Sequence, residues 1–245
     1  MPAGVTTKMF GRFNYPCRYA GKEFSFSIER DGNFFRYRRE CGQECVEKII
    51  SSAGPAVFIH PVEPINLPKE VTRYLEIVFP PVIIEPESKK TVFLTFPLEI
   101  GVFVTAKDDY QLLDVFSRCL PKYSLYGSPE DGVITRYHKS PISESCGETN
   151  PACEGVLQLD IKNTSRGWVE VSRAVFESYF MPIYFGDFVA MSGEMVIFSK
   201  MIAETRIYER PFRQGMVLAI PAIKSRKLLL VNVEKKEFLM EHGMG

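Results

Sequence analysis

Over Val156–Lys162 the chain alternates without a fault: Leu157, Leu159 and Ile161 fall on one side, Gln158, Asp160 and Lys162 on the other. A period of two marks a β-strand with one buried and one solvated face, whereas helix faces recur every 3.6 residues. The first three are therefore expected in a core and the second three in solvent. The same rule picks out Glu23–Glu29, with Phe24, Phe26 and Ile28 on one face, and Tyr74–Phe79, with Leu75, Ile77 and Phe79 on one face. Asp31-Gly32-Asn33 is a turn into Phe34–Arg39, so that region reads as a hairpin. Thr91–Phe96 and Ile100–Thr105 are nearly continuous apolar runs, consistent with strands covered on both faces. Trp168–Ser172, Glu194–Ile202, Met216–Ile220 and Lys227–Val233 complete the predicted strands.

Composition agrees, since 19 Phe, 17 Gly and 17 Pro supply strand-forming side chains and turns. Helix signals are few. Gln43–Ser51 spaces Val46, Ile49 and Ile50 along one face before Gly54-Pro55, and Ser172–Phe180 opens on an N-cap residue, so both are expected as short helices. Asp109–Leu120 fits either period. Many short strands with few helices predict a mainly β fold, an antiparallel β-sandwich or barrel-like sheets. HPVEPINLP (His60–Pro68) and FPPVIIEPES (Phe79–Ser88) read as connections or edge segments, because proline cannot donate to a ladder. Ser140–Gly155 is expected to be a flexible excursion or the tip of a hairpin joining Val133–Lys139 to Val156–Lys162. A soft boundary near Pro121 divides two β-rich halves, 1–120 and 121–245, which are either two domains or one.

Charge narrows the partners. Lys and Arg number 30 and so do Asp and Glu, giving a net charge of zero. Nothing global draws such a chain to phosphate backbones, so no nucleic-acid partner is expected. No apolar run reaches the roughly 18 residues of a membrane helix, and MPAGVTTKMFGRFNYP lacks a signal-peptide pattern, so neither membrane insertion nor export is expected. Six cysteines are too sparse for a disulfide scaffold. Cys119 is expected as a small buried hydrophobe. Cys146 and Cys153 share a polar loop, where a local disulfide is preferred to a metal if the source is a hyperthermophile. Cys41-x3-Cys45 and Cys146-x6-Cys153 lack zinc-ribbon spacing and the three histidines are far apart, so no metal or other cofactor is expected.

MFGRF (Met9–Phe13), VEPINLP (Val62–Pro68), LTFPLEIGVFV (Leu94–Val104), LLDVF (Leu112–Phe116) and PKYSLYGSPEDGVITRYHKS (Pro121–Ser140) together carry a family likeness. Over nearly its whole length the chain resembles the archaeal proteins grouped as domain of unknown function 432. The resemblance implies an archaeal cytoplasmic protein and carries no site residue across. It also implies a gene neighbourhood shared with small mechanosensitive channels, and so a regulatory or accessory role with a channel-associated partner.

The densest polar constellation is Lys122–Lys139. On a strand over Gly132–Lys139, Arg136 and His138 share one face, opposite Val133, Thr135 and Tyr137. Tyr123 and Tyr126 fall on opposite faces of Lys122–Tyr126, and Ser128–Gly132 is a turn. A functional reading gives Arg136 an anion to bind and His138 a proton to shuttle near neutrality, with Glu130 or Asp131 in support. The plainer reading is a hairpin with a solvated Arg/His face. Glu99 is flanked by apolar runs and needs a partner, Arg136 or Arg118; a buried structural pair leads, and a general base of raised pKa follows. His60 reads as a surface or packing residue and His242 as part of a disordered end. FFRYRRE (Phe34–Glu40) resembles a nucleic-acid stacking strip, but in a neutral chain it reads as a solvated face. Phosphate-binding loops, the dinucleotide fingerprint, the nucleophile elbow and the zincin motif are absent from the sequence. The leading expectation is therefore a non-enzymatic interaction or accessory module that binds a protein partner or itself. The alternative is a small-molecule-binding protein or enzyme handling an anionic substrate through Arg136 and His138, with His138 and Glu99 as candidate catalytic groups and Arg136, Tyr123, Tyr126 and Asp131 as candidate ligand contacts.

Overall fold

A computed structural model describes residues 4–6, 8–51, 56–65, 67–106, 109–179, 181–225 and 237–245. Strand dominates them, as the alternation predicts. The first strands are β1 (Gly4–Thr6), β2 (Gly11–Asn14), β3 (Cys17–Ala20), β4 (Ser25–Asp31), β5 (Phe34–Cys41) and β6 (Glu44–Ile50). β3–β6 form an antiparallel meander with β1 added in parallel to β3. The turns at Gly32 and Gly42 have φ of +60° and +61°. Glycine enters that left-handed region without a Cβ penalty, which is what two-residue hairpin loops require.

Next come β7 (Ala56–Val62), β8 (Tyr74–Ile84), β9 (Ser88–Pro97), β10 (Glu99–Ala106) and β11 (Asp109–Phe116). They are followed by β12 (Lys122–Tyr126), β13 (Val133–Lys139), β14 (Glu154–Asn163) and β15 (Val169–Glu177). The last are β16 (Tyr184–Phe185), β17 (Val189–Ile197), β18 (Ala203–Ile207), β19 (Val217–Leu218), the single-turn helix α1 (Ala222–Ser225) and β20 (Glu237–Met240). A second sheet runs β11-β10-β7-β2, and a third runs β12-β13-β8-β15. The fourth runs β19-β16-β17-β14-β9, with β18 on β17 and β20 on β18. None of the sheets formed by the described residues closes into a barrel. Most pairings are antiparallel; β1–β3, β8–β13 and β14–β17 are parallel. Strands from either side of residue 120 pair directly, β8 with β13 and β15, and β9 with β14.

The first two sheets face one another through Phe13–Phe26, with ring centroids 5.7 Å apart, and Phe24–Phe116 at 5.1 Å. Phe10 and His60 reach across to Phe185 of the fourth sheet, at 5.8 and 4.7 Å. One connected apolar cluster draws on all four sheets, and a smaller one forms around Val62, Phe103 and Ile223. Two buried polar groups lock sheet to sheet. The Tyr37 hydroxyl and Arg39 Nε both donate to Asp114 Oδ2, at 2.9 and 2.8 Å, joining β5 to β11. Asn163 Nδ2 donates to the carbonyls of Ile84, Glu85 and Gly167, closing the β8–β9 turn over the end of β14.

Several expectations need correction. Gln43–Ser51 is strand β6, because the Gly42 turn folds it back on β5 and its β-branched Val46, Ile49 and Ile50 suit a pleated surface. Ser172–Tyr179 holds no helix, and Phe180 lies outside the described residues; β15 continues through Glu177, with a register shift between Val171 and Arg173 where Ser172 and Arg173 donate to the Met244 carbonyl. The ambiguous Asp109–Leu120 resolves as a strand, β11. Glu194–Ile202 is displaced, since β17 runs from Val189 to Ile197, and Met216–Ile220 shrinks to β19. Lys227–Val233 lies wholly outside the described residues, which stop at Ser225 and resume at Glu237. Ser140–Gly155 is not a hairpin tip, because β13 and β14 lie in different sheets. Nor is it loose: Phe93 and Ser143 exchange backbone hydrogen bonds, and Lys90 meets Glu144 at 2.9 Å.

The disulfide joins Cys119 to Cys153, with Cα atoms 5.7 Å apart, so Cys119 is neither buried nor a simple hydrophobe, and Cys146 is free. The reason is local: Asn150 accepts from the Cys153 and Glu154 amides, a turn that aims Cys153 at the β11–β12 connection. His242 is also held, its amide donating to the Tyr126 hydroxyl while Met244 is buried nearby.

Leu157, Leu159 and Ile161 are fully buried, Lys162 is exposed and Gln158 half-buried. Asp160 departs from the pattern, being buried against Lys89 Nζ at 2.9 Å and Thr91 Oγ1 at 2.7 Å. Burial works to raise its carboxyl, but those two donors prevail and hold it below the usual range. Leu159→Ala should cost about 2–5 kcal/mol, and Lys162→Ala should fall within about 0.5 kcal/mol of neutral. Urea denaturation of both variants checks this; equal losses would mean that the register is wrong.

Candidate functional site

The β12–β13 hairpin presents two chemically different faces. On one, Ser124 and Thr135 lie directly opposite and their hydroxyls are 3.0 Å apart. Both reach the buried Glu76 of β8: Ser124 donates to Glu76 Oε2, and Thr135 lies 3.4 Å from it. Arg173 of β15 completes the set, with Nη1 3.4 Å from Glu76 Oε1. Sequence reasoning missed this cluster. Its only trace was Glu76 within the apolar run of Tyr74–Phe79, which set it on the face opposite Leu75, Ile77 and Phe79.

The other face carries Arg136 and His138 toward the ends of β9 and β10. Arg136 and Glu99 are almost completely buried, and Arg136 Nη1 stands 3.9 Å from Glu99 Oε1. Glu99 Oε2 also accepts from the Ile65 amide at 3.3 Å. Glu99 thus meets Arg136, while Arg118 pairs with Glu23 at 2.8 Å. At 3.9 Å the pair is ionic without being a hydrogen bond, and Arg136 Nη1 has no hydrogen-bond partner among the described residues. Burial lowers the Arg136 pKa, with Glu99 opposing, and the group remains a cation. His138 Nε2 lies 2.8 Å from Thr95 Oγ1. Burial first, then the charges of Arg136 and Lys122, push it down to about 4, so at neutral pH it is an uncharged hydrogen-bonding group and is not poised to shuttle protons there.

Between these strands lies a cavity of about 190 Å³, lined by Pro97, Cys119, Leu120, Lys122, Arg136, Tyr137, His138, Lys139 and Glu154. The disulfide-bonded Cys119 forms part of its wall. Its polar lining offers cations and a neutral imidazole, an arrangement suited to holding an anion. Tyr123 lies opposite Arg136 in the register, 37% exposed. Tyr126 turns the other way and is buried, its hydroxyl engaged by the C-terminal residues. Asp131 stays in the exposed Ser128–Gly132 turn as a partner of Ser128, with Glu130 beside it. Of the six candidates, Arg136 and His138 line the cavity, Glu99 backs Arg136, Tyr123 adjoins it, and Tyr126 and Asp131 lie outside its lining.

A second buried polar pair sits on β7 and the segment after it. His60 Nδ1 accepts from the Ile220 amide at 3.0 Å, and burial lowers its pKa to about 4. Glu63 accepts from the Ala222 and Ile223 amides, and burial raises its pKa. These are anchors for the chain entering α1. In FFRYRRE, Arg36 and Arg38 are exposed and paired with Asp31, Glu40 and Glu47, while Tyr37 and Arg39 are buried.

The chain belongs to the DUF432 family, described as a protein of unknown function; the family model matches residues 9–241. No curated protein and no solved structure matches it. No helix among the described residues is long and apolar enough to cross a membrane.

His60 and His138 have pKa values lowered from 6.5 to about 4. The unfolded chain therefore binds more protons between those values, so their contribution to stability is complete above about pH 6.5 and declines as pH falls toward 4. Both imidazole proton resonances should stay unmoved from pH 8 to 6 in an NMR titration, and stability should fall below pH 6. A midpoint near 6.5 for His138 would restore it as a proton shuttle.

Proposed function

We propose that this protein is a non-enzymatic interaction or accessory module, working in the cytoplasm of an archaeal cell, that binds a protein partner through the β12–β13 hairpin. The observation that carries the reading is the edge strand β12. Its sheet order leaves β12 paired only with β13 among the described strands, and Tyr123, Leu125 and Ile134 expose 37%, 45% and 40% of their surface there. Leu120, just before β12, is 91% exposed. An edge ladder flanked by apolar side chains is suited to receiving a strand from another chain. The opposite edge of the same sheet differs, since β15 packs against β18 and β20.

The neutral His138 supports binding over proton transfer at physiological pH. The family resemblance supports the archaeal and cytoplasmic setting and makes a channel-associated protein one candidate partner. A disulfide is compatible with that setting in hyperthermophilic archaea.

Leu125→Lys combined with Ile134→Lys tests the reading, because both positions are exposed and should tolerate the change within about 1 kcal/mol. The tagged full chain, purified from its native host, should retain a stoichiometric protein, or self-associate in sedimentation. The double variant should lose that association by tenfold or more. Equal association of both chains, or none for either, would contradict it.

A further inference from the structure

We infer that the cavity between the β12–β13 hairpin and the ends of β9 and β14 is a binding site for one small oxyanion, a carboxylate or a phosphoryl group. The inference stands apart from the reading of the β12 edge and goes beyond it. Its anchor is Arg136, which lines this space, whose side chain is 3% exposed and whose buried Nη1 has no hydrogen-bond partner among the described residues. A buried guanidinium N–H without an acceptor is costly, and folded chains avoid it unless something else supplies the acceptor. Glu99 balances the charge from 3.9 Å without meeting that hydrogen.

Charge sets the valence. Lys122, Arg136 and Lys139 line the cavity with Glu154, and Glu99 stands behind Arg136. Counted over these residues, three cations stand against two carboxylates, with both lysines exposed at the rim. His138 adds none at neutral pH and serves as a hydrogen-bonding wall beside Thr95. Size sets the class. About 190 Å³ exceeds what a single water fills, roughly 30 Å³, yet falls short of the roughly 300–1,000 Å³ of sites for larger ligands. A carboxylate or phosphoryl group fits within that volume. A guanidinium with adjacent ammonium groups recognises either anion by charge-assisted hydrogen bonds.

The test titrates the full chain with inorganic phosphate and, separately, sodium acetate at constant ionic strength, following backbone amide resonances. One saturable site is expected, with shifts concentrated at residues 119–123 and 136–139. Tighter phosphate binding would assign a phosphoryl group, and tighter acetate binding a carboxylate. Arg136→Gln should weaken binding by tenfold or more. Should that buried substitution fail to fold, Lys122→Gln, at an exposed position, should still weaken binding threefold or more. No saturation with either anion, shifts scattered over the surface, or unchanged affinity in Lys122→Gln would overturn the inference.

Discussion

The fold depends on one run of chain, Tyr74–Ala106, which enters three of the four sheets without leaving strand for more than a short turn. β8 forms the middle of the third sheet, holding β13 in parallel on one side and β15 antiparallel on the other. The turn at Glu85–Glu87 reverses the chain into β9, which pairs along its whole length with β14. Leu98 then carries it into β10, between β7 and β11. β8, β9 and β10 do not pair with one another; their sheets are held together by the short turns that join them and by the apolar side chains this run contributes to one shared core. Leu75, Ile77, Leu94, Phe96, Leu98 and Ile100, all essentially inaccessible to solvent, make this ribbon the spine of the core.

Buried polar groups then fix how the sheets sit on the ribbon. Asp114 takes Tyr37 and Arg39, Glu76 takes Ser124 and Arg173, and Glu63 takes the first amides of α1. Removing one partner from such a set leaves a charge stranded in low dielectric, which typically costs about 3–5 kcal/mol. Arg136 Nη1 and Arg173 Nε both lack a hydrogen-bond partner among the described residues, and Arg136 differs in lining a cavity. The end of β10 that completes the core thus sets Glu99 against Arg136 of β13, beside that cavity.

Much of this was legible in the sequence where a single physical rule dominates. Leu157, Leu159, Ile161 and the Leu75, Ile77 and Phe79 face are buried as a two-residue period requires. Glu99 needed a cation because apolar runs flank it, and Arg136 supplies one. The failures arise where tertiary contacts outweigh local pattern. Gln43–Ser51 has helical spacing, but the Gly42 turn commits it to pairing with β5. Asp160 sits on the polar side of its strand, yet β9 covers that side and brings Lys89 and Thr91 to it. No spacing rule could pair Cys119 with Cys153, since it depends on the turn at Asn150. For the site, strand alternation sufficed to place Arg136 and His138 together. It could not show that Tyr126 is taken by the C-terminal residues, or that Glu76 gathers the hydroxyls of the opposite face.

Native-state hydrogen exchange tests the role of the ribbon most directly, because it assigns each amide the free energy of the opening that exposes it. Amides of β8, β9 and β10 should share one value, equal to the global unfolding free energy from denaturation, with the paired amides of β14 alongside them. A sheet that opens well below that value while another stays protected, β8 exchanging ahead of β9 for example, would contradict the account.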